Sequence, residues 1–187
     1  MPYAWLEQTR PGGRILTPWV GGGDGRGHLL ALDVDDTGTA TGRFVGDSAF
    51  MTLTGHDDPT WTGPCTERPD RDSAVDPAEL ADPTLLSVLG IVLPDVRIAT
   101  HVDEAGHLRA QAWGPDATYA MAVSDPDGDH PAWTWGPHDL WAHVETAAAW
   151  WHTAGRPGSG DFVYTVTSQR QFVTFGGADG PRWDVPV

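Results

Sequence analysis

The sequence contains little cysteine and few basic residues, and each shortage excludes a class of protein. Cys65 is the single cysteine, so an internal disulfide and a cysteine-ligated zinc site are both excluded. Lys and Arg number 11 against 26 Asp and Glu, which gives a formal net charge of −15. Nucleic acids and anionic membrane surfaces attract basic proteins, so the sequence favours neither as a partner. The simplest role of the negative charge is solubility.

Long apolar runs are also missing. No stretch approaches the roughly 20 apolar residues that a membrane-spanning helix needs. The first residues, Met1 to Glu7, lack the basic start and apolar core of a signal peptide. We therefore expect a cytoplasmic protein.

The sequence has no motif of a nucleophile or a metal site. Gly-x-Ser-x-Gly is absent, and no helix start lies beside Cys65 to lower its pKa. His138 and His143 are five residues apart, so they do not share a helical face. His101 and His107 flank a turn, but no third ligand stands at a suitable spacing. We expect neither a metal nor a cofactor, and the catalytic residues, if any exist, stay unknown.

Turn-forming residues are abundant, whereas helical periodicity is found in one long segment. The 23 Gly and 16 Pro indicate many turns, which fits short strands better than helices. Residues from about 137 to 154 keep a helical period. Gly136 can serve as the cap, Pro137 suits the first helical position, and Gly155 can take the left-handed conformation that ends the helix. Because a sheet needs cover for its apolar face, we expect this helix to supply it. Its predicted buried contacts are Leu140, Trp141, Val144 and Trp151.

The rest of the chain predicts an α+β domain with an antiparallel-rich sheet of short strands. Short helices are expected near residues 3–10 and 77–89, and Asp76 and Asp82 stand where capping residues would. The glycine run at 21–27 leads into an alternating strand rather than a helix, which argues against a phosphate-binding loop. Alternation predicts strands at 14–20, 29–34, 40–45, 49–53, 97–102, 108–113, 119–124, 133–135, 162–167 and 171–175.

Three parts of the chain resemble protein-L-isoaspartate O-methyltransferase-like enzymes. Residues 2–19 resemble the helix and strand near the end of the methyltransferase domain, and residues 33–51 resemble the strands that follow in actinobacterial members. Gly136-Pro137, Leu140-Trp141 and Tyr164-Thr-Val-Thr resemble their C-terminal extension. Some of those members methylate an aspartate of a ribosomally made peptide, so that it can close to an aspartimide.

The resemblance implies the C-terminal half of such an enzyme. In that family the S-adenosylmethionine site and the catalytic hydroxyl lie upstream of the segment with which this chain starts, so no binding of that cofactor is expected. We therefore expect one domain over residues 1–187. Its parts would be a methyltransferase-derived section (1–54), an irregular loop (55–75) and an extension region (76–187).

Three functions are compatible with these observations. The first is a non-catalytic module that binds a peptide or protein in a peptide or natural-product modification pathway, with a separate methyltransferase half or a second copy as possible partners. The second is a tailoring enzyme, of cyclase or isomerase type, in which an Asp or His moves a proton of a peptide or small molecule inside a Trp-lined pocket. The third is a truncated reading frame without separate activity.

The candidate contacts to a substrate are mostly aromatic. They are Trp19, Asp47, Trp61, His101 and Trp141. We also expect Ile15, Leu16 and Trp19 to lack neighbours at a bare strand edge, because the parallel strands of a complete methyltransferase are missing. Such an edge is normally covered. We expect a second copy, another chain, or a rearranged N-terminus packed on the domain's own sheet to cover it, and a twofold dimer would need only a single surface.

Overall fold

The computed structural model describes residues 1–49, 69–177 and 179–186, which form two antiparallel sheets and three α-helices. The helices are α1 (Tyr3–Gln8), α2 (Pro83–Val92) and α3 (Leu140–Thr153), and shorter 3₁₀ helices cover Pro77–Ala81 and Ser159–Asp161. The strands are β1 (Arg14–Val20), β2 (Gly27–Val34), β3 (Ala40–Ser48), β4 (Arg71–Asp72), β5 (Arg97–Val102), β6 (Leu108–Trp113), β7 (Tyr119–Ser124), β8 (Pro131–Trp135), β9 (Phe162–Val166), β10 (Gln171–Phe175) and β11 (Arg182–Val185).

The two sheets have six and five strands. The larger has the order β1-β2-β3-β9-β10-β11, so pairing of β3 with β9 joins the first hairpin to the end of the chain. The smaller has the order β4-β8-β7-β6-β5. The expected α+β class is confirmed, but the antiparallel strands form two sheets where the sequence predicted one. In the described ranges, no helix is long and apolar enough to cross a membrane.

Helices α2 and α3 lie between the sheets. The ring of Trp150 on α3 contacts Phe162, Phe175 and Trp183 of the larger sheet, while the same helix packs on β6, β7 and β8 of the smaller one. Seven of the ten α2 residues are buried, as expected for a helix covered on most sides. Two helices therefore cover the inner faces of the sheets, whereas the sequence predicted that one helix would do so. The smaller sheet presents alanines to the helix layer, which allows close approach: Ala110, Ala112, Ala120, Ala122 and Ala132.

Helix α3 buries the predicted face but begins later than expected. The carboxylate of Asp139 accepts a hydrogen bond from the Ala142 amide at 3.0 Å, so it caps the helix in place of Gly136. Pro137 therefore precedes the first turn. At the other end Gly155 has φ 88°, and its N–H donates to the His152 carbonyl, as the sequence predicted for the end of the helix. Leu140, Trp141, Val144 and Trp151 are all buried.

Two boundaries in the first half differ from the expected ones. Strand β3 continues to Ser48 instead of ending at 45, because a bulge after Phe44 lets Gly46 pair with Leu29. Of the irregular loop expected over 55–75, residues 55–68 lie outside the described residues. Near its end the chain forms the short strand β4, which pairs with β8. Beyond position 49, the strand expected at 49–53 lies outside the described residues as well.

The glycine run joins the larger sheet to α2 and β5. The Gly22 amide donates to the Gly90 carbonyl at 3.0 Å, and the Gly23 amide to the Val96 carbonyl at 2.7 Å. A Cβ atom on Gly22 would lie 2.2 Å from the Leu93 and Val96 carbonyl oxygens. These glycines therefore permit a close backbone contact that any side chain would block.

Candidate functional site

The outward face of the larger sheet is the most exposed apolar surface among the described residues. Along β1, Ile15, Thr17 and Trp19 point inward and are buried, while the alternate residues face solvent. This corrects the expectation for the strand edge, since Ile15 and Trp19 have interior neighbours and only Leu16 does not. We call the outward side chains the outer sheet face; they include Arg14, Leu16, Pro18, Val20, Leu29, Asp33, Arg43, Val45, Val163, Phe172, Arg182 and Asp184.

Several large apolar side chains of the outer sheet face are open to solvent. Leu16 is 60% exposed, Val45 58% and Val20 42%. Single exposed apolar residues are ordinary, but a group of them on one sheet face indicates a surface that binds something.

The charge of the outer sheet face is opposite in sign to that of the molecule. Its strands carry Arg14, Arg43 and Arg182, and Arg170 adds a fourth guanidinium by lying 5.2 Å from the centre of the Phe172 ring. Asp33 and Asp184 also face outward, and both are paired with arginines. Asp47, the third carboxylate of these strands, stands opposite His28 on the inward side. Asp33 accepts from Arg14 at 2.7 Å, and Asp184 lies 3.4 Å from Arg182. The hydrogen bond from Arg14 lowers the pKa of Asp33, so the pair stays ionised at a lower pH than a free aspartate would.

Two of the predicted site residues, Trp19 and Asp47, meet at a buried histidine on the inward face. The ring of His28 stacks on Trp19 with 6.1 Å between centroids, and its Nδ1 lies 3.6 Å from a carboxylate oxygen of Asp47. Its Nε2 lies 3.2 Å from the hydroxyl of Ser87 on α2. Burial, partly opposed by Asp47 and Asp24, lowers the pKa of His28.

The group at His28 has some features of a proton-transfer site. A neutral imidazole could accept the Ser87 proton through Nε2. However, the Nδ1 distance to Asp47 is too long for a hydrogen bond, and His28 is only 2% exposed, which leaves a substrate little access to its ring. The geometry thus favours a structural histidine packed between β2 and α2.

Trp141, a third predicted site residue, belongs to a structural network at β4. Its Nε1 donates to the Ser73 hydroxyl at 2.8 Å, and the side chain is 1% exposed. The Glu145 carboxylate accepts two hydrogen bonds from Arg71, both at 2.8 Å, and one from the Ala74 amide at 2.7 Å. Burial alone would raise the pKa of Glu145, but these hydrogen bonds hold it below its ordinary value. The network anchors β4 to α3.

The remaining predicted residues do not join these groups. His101 is exposed on β5, an edge strand of the smaller sheet, and Trp61 lies outside the described residues. Within the described part of the chain, no three acidic, His or Cys side chains come together as potential metal ligands.

Sequence reasoning missed Arg43 and Val45. Residues 40, 42 and 44 are small or apolar, so alternation assigns Thr41, Arg43 and Val45 to the opposite face. A valine on that otherwise polar side was the available signal.

Comparison with known proteins finds no matching family model, no matching curated protein and no matching solved structure. Function must therefore be argued from the chain's own geometry.

Proposed function

We propose that this chain is a non-catalytic binding module whose outer sheet face receives a segment of a peptide or protein rich in apolar and acidic side chains. The supporting observation is the combination of exposed Leu16 and Val45 with an excess of arginine on that face. The whole chain carries a charge of −15. A local positive excess in such a chain favours a partner of the opposite sign at this face and disfavours basic partners there.

The segment is expected to lie across the face instead of extending the sheet. Proline is tolerated in an edge strand because its missing N–H can point away from the neighbouring strand. Pro18 occupies such a position in β1, opposite Leu29. A strand added outside β1 would meet Pro18 at a position without a donor, so side-chain contacts are expected to supply most of the affinity.

The resemblance noted in residues 2–19 and 33–51 supports a narrower form of the proposal. The segment would then belong to a peptide undergoing modification in the cytoplasm, with any cofactor-dependent step carried out by another chain. A cyclase or isomerase is the alternative, and its support is the buried His28 beside Ser87. We rank it second because His28 is only 2% exposed and its Nδ1 is too far from Asp47 for a hydrogen bond.

The proposal can be tested by selecting peptides from a displayed library on the full chain. We expect the enriched sequences to combine acidic and apolar residues. Val45→Glu should weaken binding of a selected peptide by about ten-fold or more in fluorescence anisotropy, which corresponds to about 1.4 kcal/mol. Val102→Glu is the matched control: Val102 is also exposed (64%) but lies on the smaller sheet. Its affinity should stay within about two-fold of the original chain.

Several outcomes would contradict the proposal. They are enrichment of basic peptides, no enrichment at all, or equal losses in the two variants. Light scattering of the same proteins adds a further check. A dimer that Val45→Glu or Leu16→Glu dissociates would assign the outer sheet face to a second copy of the chain.

A further inference from the structure

At one end of the outer sheet face, Arg43 and Arg156 line a cleft of about 530 Å³. Such a volume is in the range of small-ligand sites. Its walls come from β3, the end of α3, β9 and the end of β10, and include Pro157, Asp161, Val163 and Phe175. We call it the Arg43–Arg156 cleft.

Neither guanidinium of the cleft has a carboxylate partner within ion-pair distance among the described residues. Arg43 donates one hydrogen bond, from Nη1 to the Gly160 carbonyl at 3.0 Å. Arg156 lies over the Trp151 ring at 5.6 Å from its centroid. A guanidinium has five N–H donors, so most donors of both side chains are available to a ligand.

One acidic side chain, Asp161, lies in the same cleft as the two arginines. Its carboxylate accepts a hydrogen bond from the Gly158 amide at 2.8 Å, which fixes it to its own turn but leaves its charge in place. At the end of α3, the Trp151 carbonyl accepts from the Arg156 amide and the His152 carbonyl from the Gly155 amide. Two guanidinium groups and one carboxylate leave the cleft with a formal excess of one positive charge.

The backbone at Arg156 ends helix α3. Its φ is 58°, a left-handed conformation of the kind found at helix ends, and its N–H donates to the Trp151 carbonyl at 2.9 Å. Here it directs an arginine, held by the Trp151 ring, toward the same cleft as Arg43.

We infer that the Arg43–Arg156 cleft binds a carboxylate group of the docked segment, either an acidic side chain or a C-terminal carboxylate. The inference rests on the proposed function and names the group that the outer sheet face recognises. Two guanidinium groups match a planar carboxylate with paired hydrogen bonds. A phosphate shares this chemistry, so the experiment must separate the two sources.

The test is an NMR titration of the full chain that follows the arginine Nε–Hε signals. Glutarate is the carboxylate probe and inorganic phosphate the phosphate probe. We expect glutarate to shift the Arg43 and Arg156 signals along one saturating curve. Arg43→Gln and Arg156→Gln should each raise the dissociation constant about ten-fold. Arg26→Gln should leave it unchanged, because Arg26 pairs with Asp24 and lines neither the cleft nor the outer sheet face. Arg43→Lys tests the paired geometry, because lysine keeps the charge but not the planar fork.

Other results would overturn the inference. They are a shift that does not saturate, equal shifts of Arg26, unchanged affinity in both glutamine variants of the cleft, or tighter binding of phosphate than of glutarate. Circular dichroism melting of each variant shows that it is folded.

The results distinguish a failure of the cleft inference from a failure of the proposed function. If selected peptides bind Arg43→Gln and Arg156→Gln as well as the original chain, the cleft is excluded while the docking face stands. If glutarate binds but no peptide is selected, the cleft stands without the docking face. Val45→Glu should lose the peptide and keep glutarate.

Discussion

At the residue scale, tryptophans occupy two opposite environments, and Trp151 represents the buried one. It is 3% exposed, and its Nε1 donates to the Pro157 carbonyl at 2.9 Å. Trp151→Ala should lower the free energy of unfolding by about 3–5 kcal/mol, the usual loss for a buried large aromatic. Urea titration measures it, with Trp5→Ala as the control because Trp5 is 44% exposed. A loss below about 1 kcal/mol would contradict the assignment of the α3 face.

The buried His28 predicts a pH dependence of stability. Since burial lowers its folded-state pKa, the unfolded chain binds more protons between that pKa and the ordinary value near 6.5. The contribution of His28 is therefore complete above the ordinary value and declines as the pH falls below it, until the folded-state pKa is reached.

We expect urea titrations between pH 7.5 and 5 to show a smaller loss of stability in His28→Gln than in the original chain. An equal loss in both proteins would mean that His28 is protonated as easily in the folded state as in the unfolded one, and would contradict the lowered pKa.

At the element scale, the glycine run gives a pair of matched substitutions. Gly22→Ala places a methyl group 2.2 Å from two carbonyl oxygens, so the loop must leave α2. Gly46→Ala meets nothing within 4 Å. We expect a loss of about 2–4 kcal/mol for the first substitution and less than about 0.5 kcal/mol for the second. Thermal unfolding measures the difference. Equal falls in the melting temperatures of Gly22→Ala and Gly46→Ala would contradict the close backbone contact at Gly22.

Elements defined by local signals could be predicted from the sequence, and those defined by distant contacts could not. The bounds of β5, β6 and β7 agree with the predicted strands, because alternation and tight turns specify them. Pairing of β3 with β9 depends on residues more than a hundred positions apart, and β11 is a short strand at the edge of the sheet, paired with β10. The start of α3 was missed because Asp139 and Gly136 both suit a cap.

The residues of the candidate site were likewise predictable where a local pattern places them and unpredictable where distant contacts do. Alternation alone assigns Leu16 and Val45 to one side of their strands. Arg43 and Arg156 line one cleft although they are more than a hundred positions apart, which no local pattern encodes. Trp141 was selected for its type, yet its indole is enclosed by a network whose other members, Ser73 and Arg71, gave no local signal.

At the scale of the whole molecule, one sheet face and the net charge have opposite signs. An acidic ligand is repelled by the molecule at long range and attracted by arginines at short range. Salt screens the two effects at different concentrations, since the Debye length falls from about 30 Å at 0.01 M to about 3 Å at 1 M. As salt rises, the repulsion weakens first and the attraction later. Association with this face should therefore be fastest at an intermediate ionic strength, whereas an evenly charged acidic protein would show a steady trend.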